Sequence, residues 1–428
     1  MKNIILCRKV LFSFIFLLAL VSCKKNASSV FEFKQFVGIS DDSLGCIAVN
    51  PSLPLLSMSK GNGVTINVPI EPSQYADSII FDYKFIPLET TKKNLISRIE
   101  KIFVDSTYFF IFDHDNNILF RFGQDGKFLG QIGHIGFGSD EYTEIWNAAI
   151  DKKRKEICLL DLSGRKLLYY NYNGSFIRTE PMYYLFTSIE FCDETLILHT
   201  GSSYNIKTPL VDYYQLIVSE RNQKPLFKGF PITSESRYNT TYGTQKSLLK
   251  VDNEVLYYSL FSDTIWQIDK SSCKVKFVLN FPERGILFNQ QEIEKMSDEL
   301  YRQKTNGVDC FRGKYVFTRK FACFSIMTKK NIECQLIYST KSERIRYGLI
   351  EVPKNSNRLG DYLQPGDFDH VYNDSTFIKV LQPSHIKSEA NSFGNNNMNQ
   401  VSQRDKDFAN SLKDDGNPVL MLIQLSDF

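Results

Sequence analysis

Between Ile99 and Thr179 the chain writes one strand pattern twice, and no other feature narrows its fold as much. The first copy, IEKIFVDSTYFFIFDHDNNILFRFGQDGKFLGQIG, runs from Ile99 to Gly133; the second, WNAAIDKKRKEICLLDLSGRKLLYYNYNGSFIRT, runs from Trp146 to Thr179. Asp161 and Gly174 stand 48 residues after Asp113 and Gly126, so that offset is a repeat period. Each copy holds a lead-in strand, an apolar run ending in Asp (FFIFD, ICLLD), a run ending at a turn (ILFRF, KLLYY) and a strand after glycine. Four strands in about 40 to 50 residues make one β-propeller blade, a unit that buries its faces only by stacking on its neighbours. The repeat speaks for architecture and not for activity, because propellers host binding, scaffolding and catalysis alike.

The remaining chain keeps the composition while the period blurs. Val64 to Ile70 and Ile79 to Leu88 read as strands ahead of blade one. Thr195 to Thr200, Tyr213 to Ser219 and Leu226 to Phe230 give a third blade; Glu254 to Ser259, Thr264 to Asp269 and Lys274 to Phe281 give a fourth. Gln290 to Lys304 carries Ile293, Met296, Leu300 and Tyr301 at helical spacing, which predicts a short helix before blade five. Lys314 to Phe321, Cys323 to Met327 and Ile332 to Tyr338 supply blade five, and Val371 to Leu381 opens a sixth. The Asn-rich Ser388 to Gln403 reads as a mobile loop, followed by a helix-like Arg404 to Lys413 and a final strand, Val419 to Leu425. An open ring would leave unpaired edges, so the closing sheet is expected to mix the spare strand near Tyr83 to Leu88 with the last strand. The sequence thus predicts an all-β protein: a single six-bladed β-propeller of four-stranded antiparallel blades over residues 61–428.

Lys2, Arg8 and Lys9 precede an apolar run, Val10 to Val21, too short to span a bilayer and suited to a secretory signal. It ends in Leu20-Val21-Ser22-Cys23, which looks like a bacterial lipobox. Residues 1–22 are therefore expected to be a lipoprotein signal peptide, Cys23 the lipidated residue, and 23–60 a tether and irregular lead-in. The predicted location is the cell envelope, held to the membrane through lipid alone. Net charge is +3, from 51 basic and 48 acidic residues, which gives no footprint for nucleic acid. Removing Cys7 and Cys23 from the nine cysteines leaves seven without metal-ligand spacing, so buried thiols are expected. Cys323 and Cys334 flank a turn and could face each other across a hairpin.

FIPLETT (Phe85 to Thr91), FRFGQDGKFLGQIG and IGHIGFGSDEY (Ile132 to Tyr142) resemble the six-bladed β-propeller lipoproteins of Bacteroidetes, related to NHL-type propellers. In that family the last segment usually reads glycine-x-glycine followed by Pro-x-Glu-Tyr; this chain keeps Gly136, Gly138, Glu141 and Tyr142 but has Ser139 in place of Pro. The resemblance is specific from Phe85 to Thr179, architectural afterwards, and returns in NPVLMLIQL at Asn417 to Leu425. It implies a fold and an anchor. Lys24 and Lys25 follow Cys23, unlike the acidic surface-export tag of such lipoproteins, so a periplasm-facing protein is expected.

The glycine-rich IGHIGFGSDEY is followed by a β repeat rather than a helix, so it reads as a blade crossing, not a phosphate cradle. Asp113-His114-Asp115-Asn116-Asn117 resembles a calcium loop but lacks the glycine and later glutamate of an EF-hand, so local turn bonding is expected. The five histidines, His114, His134, His199, His370 and His385, are scattered without ligand spacing. The expected role is ligand or partner binding by one face, in glycan handling at the envelope, with Arg121, His134, Tyr142, Trp146 and Arg165 as contacts. A glycan, peptide or envelope protein is the expected ligand, and a monomer without cofactor the expected state. The alternative is a metal-dependent propeller hydrolase or lyase, which would gather His199 or His134 with Asp or Glu at the central channel. A structural subunit of an envelope complex is the third reading.

Overall fold

The chain enters through three strands, β1 (Ser57–Ser59), β2 (Val64–Asn67) and β3 (Ile80–Pro87), and then lays down six antiparallel blades in a ring. The structure is a computed structural model and describes residues 53–73, 79–201, 205, 208, 210–212, 214–231, 247–259, 262–282, 307–349, 356–363, 368–392 and 401–428. Blade one holds β4 (Ile99–Val104), β5 (Tyr108–Asp113), β6 (Ile118–Gly123) and β7 (Phe128–Ile132), each paired with the next. Blade two repeats this with β8 (Asn147–Asp151), β9 (Glu156–Asp161), β10 (Lys166–Asn171) and β11 (Phe176–Pro181). The repeated glycines fall at equivalent turns, Gly126 at φ +82° and Gly174 at φ +90°, a conformation that other residues rarely hold.

Blade three comprises β12 (Ser188–Cys192), β13 (Thr195–His199), β14 (Tyr214–Glu220) and β15 (Pro225–Pro231). Blade four comprises β16 (Leu248–Val251), β17 (Glu254–Tyr258), β18 (Thr264–Ile268) and β19 (Ser272–Asn280). Blade five comprises β20 (Cys310–Phe317), β21 (Phe321–Met327), β22 (Glu333–Ser339) and β23 (Ile345–Gly348). In blade six, β24 (His370–Val371), β25 (Thr376–Leu381) and β26 (Val419–Leu425) are completed by β3, which pairs antiparallel with β26 from Pro87↔Val419 to Ile80↔Leu425. Both ends of the chain thereby meet in one sheet. Sequence reading missed the first strands of blades three and four, β12 and β16.

First strands of neighbouring blades adjoin one another at the centre of the ring, and apolar slabs fill the gaps between blades. Phe110, Phe112 and Leu119 of blade one pack on Ala148, Leu159 and Leu168 of blade two; Ile378, Leu420 and Leu422 of blade six pack on Phe109, Ile111 and Phe120 of blade one. Central strands are buried on both faces, which explains runs such as YFFIFD and FACFSIM in place of strict alternation.

Ahead of β3 the chain forms a strap along the outer edges of three blades. Leu56 N donates to Lys228 O of β15 at 2.8 Å, β1 and β2 pair parallel with β19, and Ser73 N donates to Tyr347 O of β23 at 2.8 Å. Chain attached to the propeller therefore begins ahead of Gly61. Among the described residues nothing pairs with the outer edges of β7 and β11.

The helix expected over Gln290 to Lys304 lies outside the described residues, as do Met1 to Ser52 with Cys23. The loop expected from Ser388 to Gln403 is corrected in part: α2 (Pro383–Ser392) extends through its first residues, because Ile386 and Ala390, one turn apart, are buried in the core of blades five and six. Residues 393–400 are not described. Helix α3 (Gln403–Ser411) starts at Ser402, whose hydroxyl accepts from Asp405 N, and stacks Phe408 on Phe85. Short helix α1 (Leu359–Tyr362) sits beside it, Leu359 N donating to the Asp405 carboxylate at 3.0 Å. Cys323 and Cys334 are not cross-strand neighbours. Cys323 pairs with Ile337 and Cys334 with Ile326, so the two thiols lie in different core slabs, both free and buried.

Candidate functional site

The crossing from blade one to blade two is clamped at every turn. Gly136 N donates to Tyr142 O at 2.8 Å, Tyr142 N to His134 O at 3.0 Å, and Gly138 N to the Glu141 carboxylate at 2.9 Å. A Cβ on Gly136 would stand 2.0 Å from that carboxylate, so a larger residue there would push the Glu141 side chain off the Gly138 amide. The turn between β9 and β10 braces the loop from the side: Lys166 Nζ donates to Gly138 O at 3.1 Å, and Ser163 Oγ to the Glu144 carboxylate at 2.7 Å. Asp161 accepts from Thr143 N at 2.8 Å, Thr143 Oγ1 at 2.7 Å and Gly164 N at 2.7 Å. On this rigid support Phe137 is 95% exposed, with Ile135 and Trp146 also facing solvent. These bonds fix the backbone from which the ring is displayed.

The five residues expected to contact ligand do not form one cluster. Tyr142 is fully buried between blades one and two, where burial raises its phenol well above the ordinary tyrosine range. Arg121 joins these blades, donating to Tyr172 O at 2.7 Å and Leu129 O at 3.1 Å while lying over the Tyr108 ring. Both residues hold the architecture together. His134 and Trp146 belong to the crossing loop and Arg165 to the adjacent turn, all three exposed, so these three remain on the side of the crossing. Gln131 Nε2 lies 2.7 Å from His134 Nδ1.

A polar cluster that the sequence did not disclose lies at the centre of the ring. The third residues of β4, β12 and β16 are Lys101, Glu190 and Lys250. Lys101 Nζ reaches past blade two, donating to Ala148 O at 3.0 Å and to Glu190 Oε1 at 2.5 Å, so one ion pair ties blade one to blade three. The Glu190 side chain is 2% exposed and that of Lys101 24%. Lys250 lies 5.9 Å from the Phe191 ring, and among the described residues its ammonium has no hydrogen-bond acceptor. Desolvation lowers its pKa below the ordinary lysine range, opposed by the charges of Glu190 and Asp151. Beside the cluster, Arg221 bonds the Asp151 carboxylate, reaches Glu156 at 3.4 Å and covers the other approach to Phe191.

Among the described residues no group of three His, Cys, Asp or Glu comes together as a metal site. Asp113 accepts from Ser97 N at 2.8 Å, Arg98 N at 3.1 Å and Asn116 Nδ2 at 2.8 Å, which is turn bonding. His199 ends β13 inside the core, its ring 5.7 Å from that of Tyr257; burial lowers its pKa to about 4, so it is neutral at pH 7. His370 Nδ1 lies 3.4 Å from Ile102 N, where blade six meets blade one.

The model of a family described as a domain of unknown function, DUF4934, matches residues 64–424. No curated protein matches the sequence. Among solved structures, a candidate exported protein from Bacteroides fragilis is similar at 18% identity, over 85% of this chain and 99% of that one, with a TM-score of 0.68. A member of the duf4221 family from Bacteroides vulgatus is similar at 9% identity over 81% of this chain and 97% of that one, with a TM-score of 0.44. The first likeness bears on the fold alone, and the second carries no argument.

Proposed function

From the premise that this chain belongs to the DUF4934 family, we propose that it is a lipid-anchored, periplasm-facing binding protein of the NHL-like propeller type that takes envelope glycans on the blade-crossing face. The single observation that carries this reading is Phe137, 95% exposed on a loop whose backbone is fixed by its own glutamate and the neighbouring turn. A loop backbone fixed before binding has little freedom left to lose, and an exposed aromatic surface suits the apolar face of a sugar ring. Trp146, His134 and Arg165 supply a second aromatic surface and polar groups beside it. Export supports the lipid anchor at Cys23: the similar Bacteroides fragilis structure is of a candidate exported protein, and the first residues read as a signal.

The test is thermal unfolding of the full-length protein in detergent against a panel of envelope glycan fragments. A ligand present at about 100 times its Kd stabilises the folded state by roughly 2.7 kcal/mol. Phe137→Ala is expected to remove that stabilisation while leaving the unliganded Tm unchanged, because the ring is exposed. Glycan stabilisation that survives both Phe137→Ala and Trp146→Ala would overturn the reading.

A further inference from the structure

We propose that the outer edge of β11 is a docking surface for the chain ahead of the strap, and that Cys46-Ile47-Ala48-Val49 seats there as a parallel strand. The outer strands of blades one, two and three are built alike. Each carries a one-residue bulge near its start, at Leu129 in β7, Ile177 in β11 and Leu226 in β15. Two residues past the bulge stand Gln131, Thr179 and Lys228. On β15 that residue holds the strap: Lys228 N donates to Pro54 O at 3.1 Å, and Lys228 O accepts from Leu56 N at 2.8 Å. Thr179 has the same register behind the same bulge, so its peptide groups face outward as those of Lys228 do. Leu226 is half-buried on the strapped blade, whereas Ile177 is 41% exposed. An apolar edge left open in this way is a template for a further strand.

The chain itself supplies one. The strap meets blades three, four and five in chain order, so stepping back from Pro54 leads to blade two. Ser43 to Ser59 carry no charged side chain, and β1 is only the last part of that stretch. Six residues take the strap from Asn67 on blade four to Ser73 on blade five, and six residues ahead of Pro54 stands Ala48. Seated like Leu55 and Leu56 on β15, Ile47 lies beside Thr179 and Ala48 beside Glu180. On β15 Gly229 makes room for Leu56; on β11 the sizes are exchanged, with the short side chain on the strap and the long one on the edge.

The test is maleimide labelling of Cys46 in the full-length protein in detergent, read by mass spectrometry of its peptide. Cys46 is expected to react about tenfold or more slowly than in Ile47→Asp, which puts a charge into the seat without touching the ring. Thr179→Pro should release Cys46 to the same extent, because it removes the outward N–H, a donor that an edge strand can spare. It also removes the hydroxyl bond to Ser139 O; Thr179→Ala, which loses only that bond, should leave Cys46 slow, as should Gln131→Pro on blade one. If the buried Cys158 labels as well in Thr179→Pro, blade two has opened, and the test passes to Ile47→Cys with Thr179→Cys, where a disulfide within one chain is expected. Equal rates in the wild type and Ile47→Asp, release by Gln131→Pro in place of Thr179→Pro, or no disulfide in the double variant would overturn the proposal. So would protection that disappears on dilution, which would put a second copy of the chain on the edge. None of these readings depends on glycan binding.

Discussion

Blades one and three place different residues at the same point, the end of the second strand, and fasten their lead-in segments differently as a result. In blade one Asp113 ends β5 and its carboxylate takes the amides of Ser97 and Arg98; Asp161 does the same work for Thr143 in blade two. In blade three His199 ends β13 and brings no carboxylate to the lead-in, whose Thr187 N donates to His199 O at 2.8 Å, a backbone tie that blade two also makes from Trp146 N to Leu160 O at 2.8 Å. The outer edge differs too: among the described residues no strand pairs with it in blades one and two, while the strap covers it in blades three to five. One blade template thus tolerates two ways of being held, by a buried carboxylate inside or by an added strand outside.

The contrast is broken most severely at Asp161. Asp161→Ala would take a buried acceptor from three donors, two on the half-buried Thr143 and one on the exposed Gly164, and a loss of about 3 kcal/mol is expected in chemical denaturation. If the loss is under about 1 kcal/mol, the carboxylate is not what holds the lead-in. His199 makes the stability of blade three depend on pH. Its folded pKa of about 4 lies below the ordinary 6.5, so its contribution is complete above pH 6.5 and is lost as the pH falls toward 4. At about 1.4 kcal/mol per pH unit this amounts to roughly 3 kcal/mol. His199→Leu should flatten that part of the stability profile, and an unchanged slope would show that the ring titrates freely.

A smaller effect tests the strap. A Cβ at position 348 would stand 1.7 Å from Ser73 O, so Gly348→Ala should displace the strap from blade five at a cost of about 1 to 3 kcal/mol. Protease should then cut ahead of β3 while blades one and two stay intact. The least effect is expected at Arg98, exposed and paired with Asp115 at 2.9 Å: Arg98→Ala should change stability by no more than about 0.5 kcal/mol. A larger change would mean that the blade-one turn depends on more than Asp113.

What the sequence disclosed follows from how each region is buried. Blades one and two declare themselves because they match each other, Asp for Asp and Gly for Gly. The strands SIEFC and LLKV escape notice for a physical reason: each has five residues or fewer, and the charge of Glu190 or Lys250 interrupts so short an apolar run. Tyr142 and Arg121 mislead in the opposite sense, since a phenol and a guanidinium in a glycine-rich region suggest a ligand surface but serve the contact between two blades. Phe137 was within the segment singled out, yet only the hydrogen bonds of the loop show that its ring stands in water.

The strap also decides how the molecule carries mechanical load. A pull that reaches Pro54 is delivered to the rim of the ring, first at Lys228 and then along the parallel ladders of β1 and β2 with β19. Strands drawn along their own length share tension across many hydrogen bonds, whereas a frayed end loses them one at a time. The force then runs around the circumference into β3, and so into the sheet that closes the ring, bypassing the crossing loop and the central charges. A protein hung by its N-terminus from a moving surface would thus transmit strain through its rim while the proposed glycan-binding loop stays at rest.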